Sequence, residues 1–199
     1  VMDLKQTLEA LQNNKDFLFI IDELVNSKWL IEKNAKKIIE TQNCDVSIII
    51  DKYIQIPYEG YTFKWWLIQL LTQLKNADNF IDEELTLILS KKDEDSFYHM
   101  RDELAFALVG IYKRSIENNS QKLLKKWWNY FKQYWDCFYE TESFYKYNYY
   151  CLDTSTDHTQ VIKLVEEYNN AAPFPWFDDI MSSLNNAQKG YNNLLDCYW

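Results

Sequence analysis

Three glycines (Gly60, Gly110, Gly190) and three prolines (Pro57, Pro173, Pro175) in 199 residues leave this chain few ways to turn sharply. Hairpins and strand-to-helix connections depend on glycine for positive φ and on proline to preset a turn, so a fold rich in strands would need many more of both. The scarcity points to helices joined by turns of Asn, Asp and Ser. It also removes the loops that cradle phosphate, since neither G-x-x-x-x-G-K nor G-x-G-x-x-G can be written anywhere in the chain.

Apolar periodicity agrees. Leu4, Leu8 and Leu11 mark a first short helix, and Leu18, Ile21, Leu24 and Val25 a second. Ser27 can cap a third, carrying Leu30, Ile31, Ile38 and Ile39. The β-branched run DVSIIIDKYI would suit a buried strand, but Val46, Ile49, Ile50, Tyr53 and Ile54 recur at the spacing of one helix face, and a helix is expected. Pro57 and Gly60 interrupt it. Thr62 then opens a helix whose stripe is Phe63, Trp66, Leu67, Leu70, Leu71 and Leu74. Further helices are expected from Asp78 or Asn79, from Phe97 to about Arg114, from Asn119 and Ser120 past Phe138, from Asp157, and from Pro175 to Gly190. Together they predict an all-α protein: a compact array or irregular bundle of about nine or ten helices. It is expected to form a single helical domain, 1–199, with a point of subdivision near 57–60 and the helices of 157–189 packing back on the body.

Two tryptophan doublets, in FKWW (Phe63 to Trp66) and KKWW (Lys125 to Trp128), raise the question of whether aromatic side chains face outward to stack on a ligand. In the second helix Leu124, Trp128, Phe131, Trp135 and Phe138 form one ridge, flanked by Leu123, Trp127, Tyr130 and Tyr134. Lys122, Lys125, Lys126, Asn129, Lys132 and Gln133 fill the remaining arc. So broad an apolar surface predicts a core helix whose lysines lie along the solvent edge. A net charge of −9 also opposes nucleic acid as a partner.

Apolar residues make up 47% of the chain, enough for a globular core without disulfides. Cys44, Cys137, Cys151 and Cys197 show neither a C-x-x-C pair nor zinc spacing, so free thiols and a reducing, cytoplasmic setting are expected. The longest apolar runs are far shorter than the roughly 20 residues a membrane helix needs, and no membrane partner is expected. His99 has Asp95, Asp102 and Glu103 at helical spacings around it, but one helix supplies too few ligands for a metal site, and no metal or cofactor is expected. His158 lies near Cys151 in sequence only. No G-x-S-x-G, H-E-x-x-H or S-x-x-K occurs. Catalysis is not expected; the alternative is a helical enzyme or small-molecule binder with an aromatic-lined pocket served by His99 or His158.

One segment, DSFYHMRDELAFALVGIYK (Asp95 to Lys113), resembles the second helix of a HEAT-type repeat, with Met100, Arg101, Ala105, Ala107, Leu108, Gly110 and Ile111 in matching places. No second copy follows at the period such arrays need. In general type, a small, acidic, aromatic-rich chain without catalytic motifs resembles the bacterial toxin-immunity proteins. That resemblance implies a protein-binding inhibitor that neutralises a basic toxin or nuclease domain. Residues 78–112 carry nine carboxylates against three basic side chains, and Asp82, Glu83, Glu84, Asp93, Glu94 and Asp95 are the expected contact charges. Tyr147, Tyr149 and Tyr150 are the expected aromatic anchors.

Overall fold

A computed structural model describes residues 46–58, 62–138 and 159–188. Among them there are seven α-helices and no strand: α1 (Val46–Gln55), α2 (Thr62–Thr72), α3 (Asp78–Ser90), α4 (Phe97–Glu117), α5 (Gln121–Phe138), α6 (Thr159–Ala171) and α7 (Phe177–Gln188). The all-α expectation holds, and the β-branched run at 46–55 is helical. The first three expected helices, Tyr147, Tyr149, Tyr150, His158, Cys44, Cys151, Cys197 and Gly190 lie outside the described residues.

The chain divides at Gly110 and Ile111, inside α4, into two compact units. In the first, α2 packs against both α1 and α3, with a 3-10 turn at Lys75–Ala77 touching all three. Helix α2 departs from the expected one-sided stripe. Lys64, Ile68, Gln69 and Thr72 are buried along with Leu67, Leu70 and Leu71, so burial extends around most of α2, with Trp65 half-buried. Its polar residues give it an amphipathic pattern that the packing does not follow. Gly110 explains how α4 comes so close: a Cβ there would stand 1.7 Å from Thr72 Oγ1 and 2.6 Å from the Gln69 carbonyl. Earlier along the same pair, Trp65 stacks on Phe106 with ring centres 5.3 Å apart. On α1, Val46, Ile49 and Tyr53 are buried as the periodicity requires, but Ile54 is 60% exposed rather than inside.

The second unit is built on aromatics. Trp127, Trp128, Phe131, Tyr134 and Trp135 of α5 are all buried, together with Val161 and Val165 of α6 and Ile180 and Leu184 of α7. Trp127 stacks on Phe131 at 4.7 Å, and Tyr112 leans on Trp127 at 5.0 Å. Phe174, in the joint before α7, meets Trp128 edge-on at 6.1 Å. Asn119 takes a positive φ of 46°, which an Asn tolerates better than most residues. Ser120 Oγ then accepts the Leu123 amide at 3.3 Å and caps α5. Pro175, expected in the first turn of the last helix, instead sits in the turn just before Phe177.

An acidic turn and a buried charge cluster

The six expected acidic contacts separate into two groups. Asp93, Glu94 and Asp95 are exposed in the turn between α3 and α4, Glu83 is exposed on α3, and Asp82 beside it is half-buried. On either side of the turn two large apolar side chains also face water: Leu87, 45% exposed in the last turns of α3, and Tyr98, 63% exposed in the first turn of α4. Lys91 Nζ pairs with Glu94 at 3.2 Å, and the Arg101 guanidinium lies 4.1 Å from the Tyr98 ring centre, which fixes that ring from behind.

Glu84 is the exception, and it belongs to the interior. It is buried, and its Oε1 accepts hydrogen bonds from Tyr53 at 2.9 Å and from Tyr58. Helix periodicity explains the split: Glu84 shares a face with Ile81, Leu85 and Ile88, which form the buried side of α3. An ionised carboxylate there requires compensating donors, and the two phenols supply them. Burial, and then Glu84 itself, hold both phenol pKa values above the ordinary tyrosine value, so they remain donors.

Lys64 completes this cluster. It is only 1% exposed, and its ammonium donates to the carbonyls of Tyr53 at 2.9 Å and Ile56 at 2.6 Å, at and just past the C-terminal end of α1. The same nitrogen lies 3.8 Å from the centre of the Tyr53 ring and 4.1 Å from that of Tyr58. Burial lowers the Lys64 pKa, and the nearby Glu84 and Glu103 oppose that shift. Lys64 thus works as a clasp, holding the end of α1 and the following turn against α2.

Glu103 of α4 is fully buried, yet neither of its carboxylate oxygens has a hydrogen-bond partner. Burial pushes its pKa up to about 8, with its own main-chain amide acting against this, Asp102 adding to it, Lys64 opposing and Glu84 adding again. Gln69 is likewise fully buried, with neither side-chain amide atom bonded.

His99 is exposed, and Tyr98 meets its ring edge-on at 5.5 Å. The carboxylates expected around it do not assemble there: Asp95 lies in the turn before α4, and Glu103 points into the core. Among the described residues no group of three His, Cys, Asp or Glu side chains could hold a metal ion. In the second unit a cleft of about 70 Å³ lies between Ser115, Ser120, Leu124, Gln160 and Leu164, below the few hundred Å³ that an organic ligand fills. Among the described residues no helix is long and apolar enough to cross a membrane.

The Tyr53–Tyr58–Lys64–Glu84–Glu103 cluster has no signature along the sequence, because its members come from four helices and a turn. The one local signal was a lysine, Lys64, set between Phe63 and two tryptophans in a strongly apolar run. Comparison with protein-family models, curated proteins and solved structures finds no match to this chain.

Proposed function

We propose that this chain is a protein-binding inhibitor of the toxin-immunity type, acting in the cytoplasm and docking a basic partner domain against the acidic turn between α3 and α4. The observation that carries the reading is the grouping of exposed Asp93, Glu94 and Asp95 in the turn with exposed Leu87 in the last turns of α3 and exposed Tyr98 in the first turn of α4; exposed Glu83 stands one helical turn before Leu87. Charge at a rim raises the rate of encounter, and an aromatic held from behind by an arginine supplies the desolvated anchor that charge alone lacks. Glu84 is left out of this surface. Tyr147, Tyr149 and Tyr150 are proposed as a second group of anchors. Nine or ten helices for the whole chain, one of them HEAT-like at 95–113, are part of the same proposal.

The test uses the wild-type chain and the triple variant D93K/E94K/D95K as parallel baits. The expected result is a basic domain retained by the wild type, lost by the variant, released as salt rises, and inhibited in its own activity by the wild-type chain. A partner held equally by both baits, with association rates indifferent to salt, removes the acidic turn from the proposal.

A further inference from the structure

The buried cluster holds one cation with two competing sets of acceptors. Lys64 now gives its hydrogen bonds to the Tyr53 and Ile56 carbonyls and rests on two tyrosine rings. Glu103 and Lys64 act on each other electrostatically, but no ion pair joins them, and no other residue donates to either Glu103 oxygen. A neutral carboxylic acid is tolerable in such a place; a carboxylate with no donor is not.

The groups that face Glu103 leave one way to relieve its charge. Asp102 lies beside it in sequence on α4; Glu84 of α3 and Lys64 of α2 act on it electrostatically, and its own charge acts on Tyr53 of α1 and Tyr58 of the turn that follows. Asp102 and Glu84 repel a second negative charge. Both phenols already donate to Glu84. Lys64 is the remaining cation of the cluster. Of the two carbonyls it would release, that of Ile56 can be hydrated, because Ile56 and Tyr58 are half-buried and Pro57 is exposed, while that of Tyr53 still accepts the Ile56 amide.

We propose that Glu103 and Lys64 form a proton-controlled latch: with Glu103 neutral, Lys64 clasps the C-terminal end of α1, and with Glu103 ionised, Lys64 turns to it and releases residues 56–58. The proton leaves to solvent, and no bond other than the carboxyl O–H breaks. The two positions of one ammonium are the bistable element, and the order of the turn after α1 is the readout.

The reporter is the Ile56 amide, which donates to the Tyr53 carbonyl at 3.2 Å, the same oxygen that Lys64 holds. Hydrogen exchange of the full chain, corrected for the intrinsic effect of pH, is measured from pH 6.5 to 9.5 on wild type, E103Q and K64M. The expected result is a fall in Ile56 protection of about tenfold or more across this interval in wild type, corresponding to at least ~1.4 kcal/mol of lost local stability. E103Q is expected to stay protected throughout, and K64M to be unprotected at every pH. A wild-type Ile56 whose protection does not change overturns the latch, as does an E103Q series with the same transition. Should E103Q fail to fold, the wild-type series together with K64M still decides: a fall in wild type that persists in K64M also overturns it.

Discussion

Two helices in this chain contain the same three residues, Lys-Trp-Trp, and treat the lysine in opposite ways. In α5, Lys126 stays at the solvent edge while Trp127 and Trp128 go fully into the core. In α2, Lys64 is itself buried, more completely than the half-buried Trp65 that follows it. The difference lies in what surrounds each helix. One side of α5 faces water, so a lysine there can keep its ammonium hydrated. Helix α2 is enclosed by neighbours, and its lysine needed protein acceptors: two carbonyls at the end of α1, two aromatic faces and a nearby carboxylate. One local sequence thus sits in a core made stable by apolar area and in another organised around buried charge.

That contrast can be broken first where apolar area dominates. Trp127→Ala is expected to destabilise the second unit by about 4 kcal/mol, the usual range for emptying a buried large aromatic. Denaturant unfolding at pH 6 and pH 9 should return the same loss, since the change removes apolar and aromatic contacts and no charge. Lys64→Met comes next. It removes the cation that compensates Glu84 and frees the end of α1, for an expected loss of about 3 kcal/mol that extra apolar area offsets only in part. The corresponding change in the other core, Lys126→Met, should alter stability by no more than about 0.5 kcal/mol. Equal effects from the two lysine variants would erase the distinction.

A fourth variant, Glu103→Gln, sharpens the contrast with a change of sign. A carboxyl raised from 4.5 when unfolded to about 8 when folded binds more protons in the native state. Its contribution to stability is therefore complete below pH ~4.5 and is lost as pH rises toward 8. Glutamine does not titrate, so E103Q should gain on wild type progressively across that window and reach about 1–3 kcal/mol at pH 8, with the gap level beyond it. Thermal melts of the two proteins along a pH series give the comparison. The smallest expected effect belongs to D93N/E94Q/D95N: within about 0.5 kcal/mol in stability, because these side chains are exposed, while the partner's association rate falls severalfold at low salt.

The helices were legible because glycine scarcity and 3.6-residue periodicity are local properties, and both survive into the fold. The outward placement of Asp93, Glu94 and Asp95 was legible as well, since a charged turn has little reason to be inside. Glu84 could be read from its spacing against Ile81, Leu85 and Ile88, but its neighbours Asp82 and Glu83 make it look like one more member of an acidic run. The burial of Lys64 and Glu103 could not be read at all. Lys64 is buried because α1, α3 and α4 close around α2, and Glu103 because Gly110, two turns further along α4, lets that helix approach α2 so nearly. Such facts depend on which helices meet, and no window along one helix contains them.

The claim that one unit is organised around a buried carboxyl to which no other residue donates is tested most directly by watching that carboxyl titrate. In protein labelled with ¹³C at the glutamate carboxyl carbons, with E103Q providing the assignment, one resonance missing from the variant is expected to titrate with a midpoint near pH 8. A Glu103 signal that instead titrates in the ordinary carboxylate range, near 4.5, would mean that this side chain is hydrated or bonded, and would contradict the account.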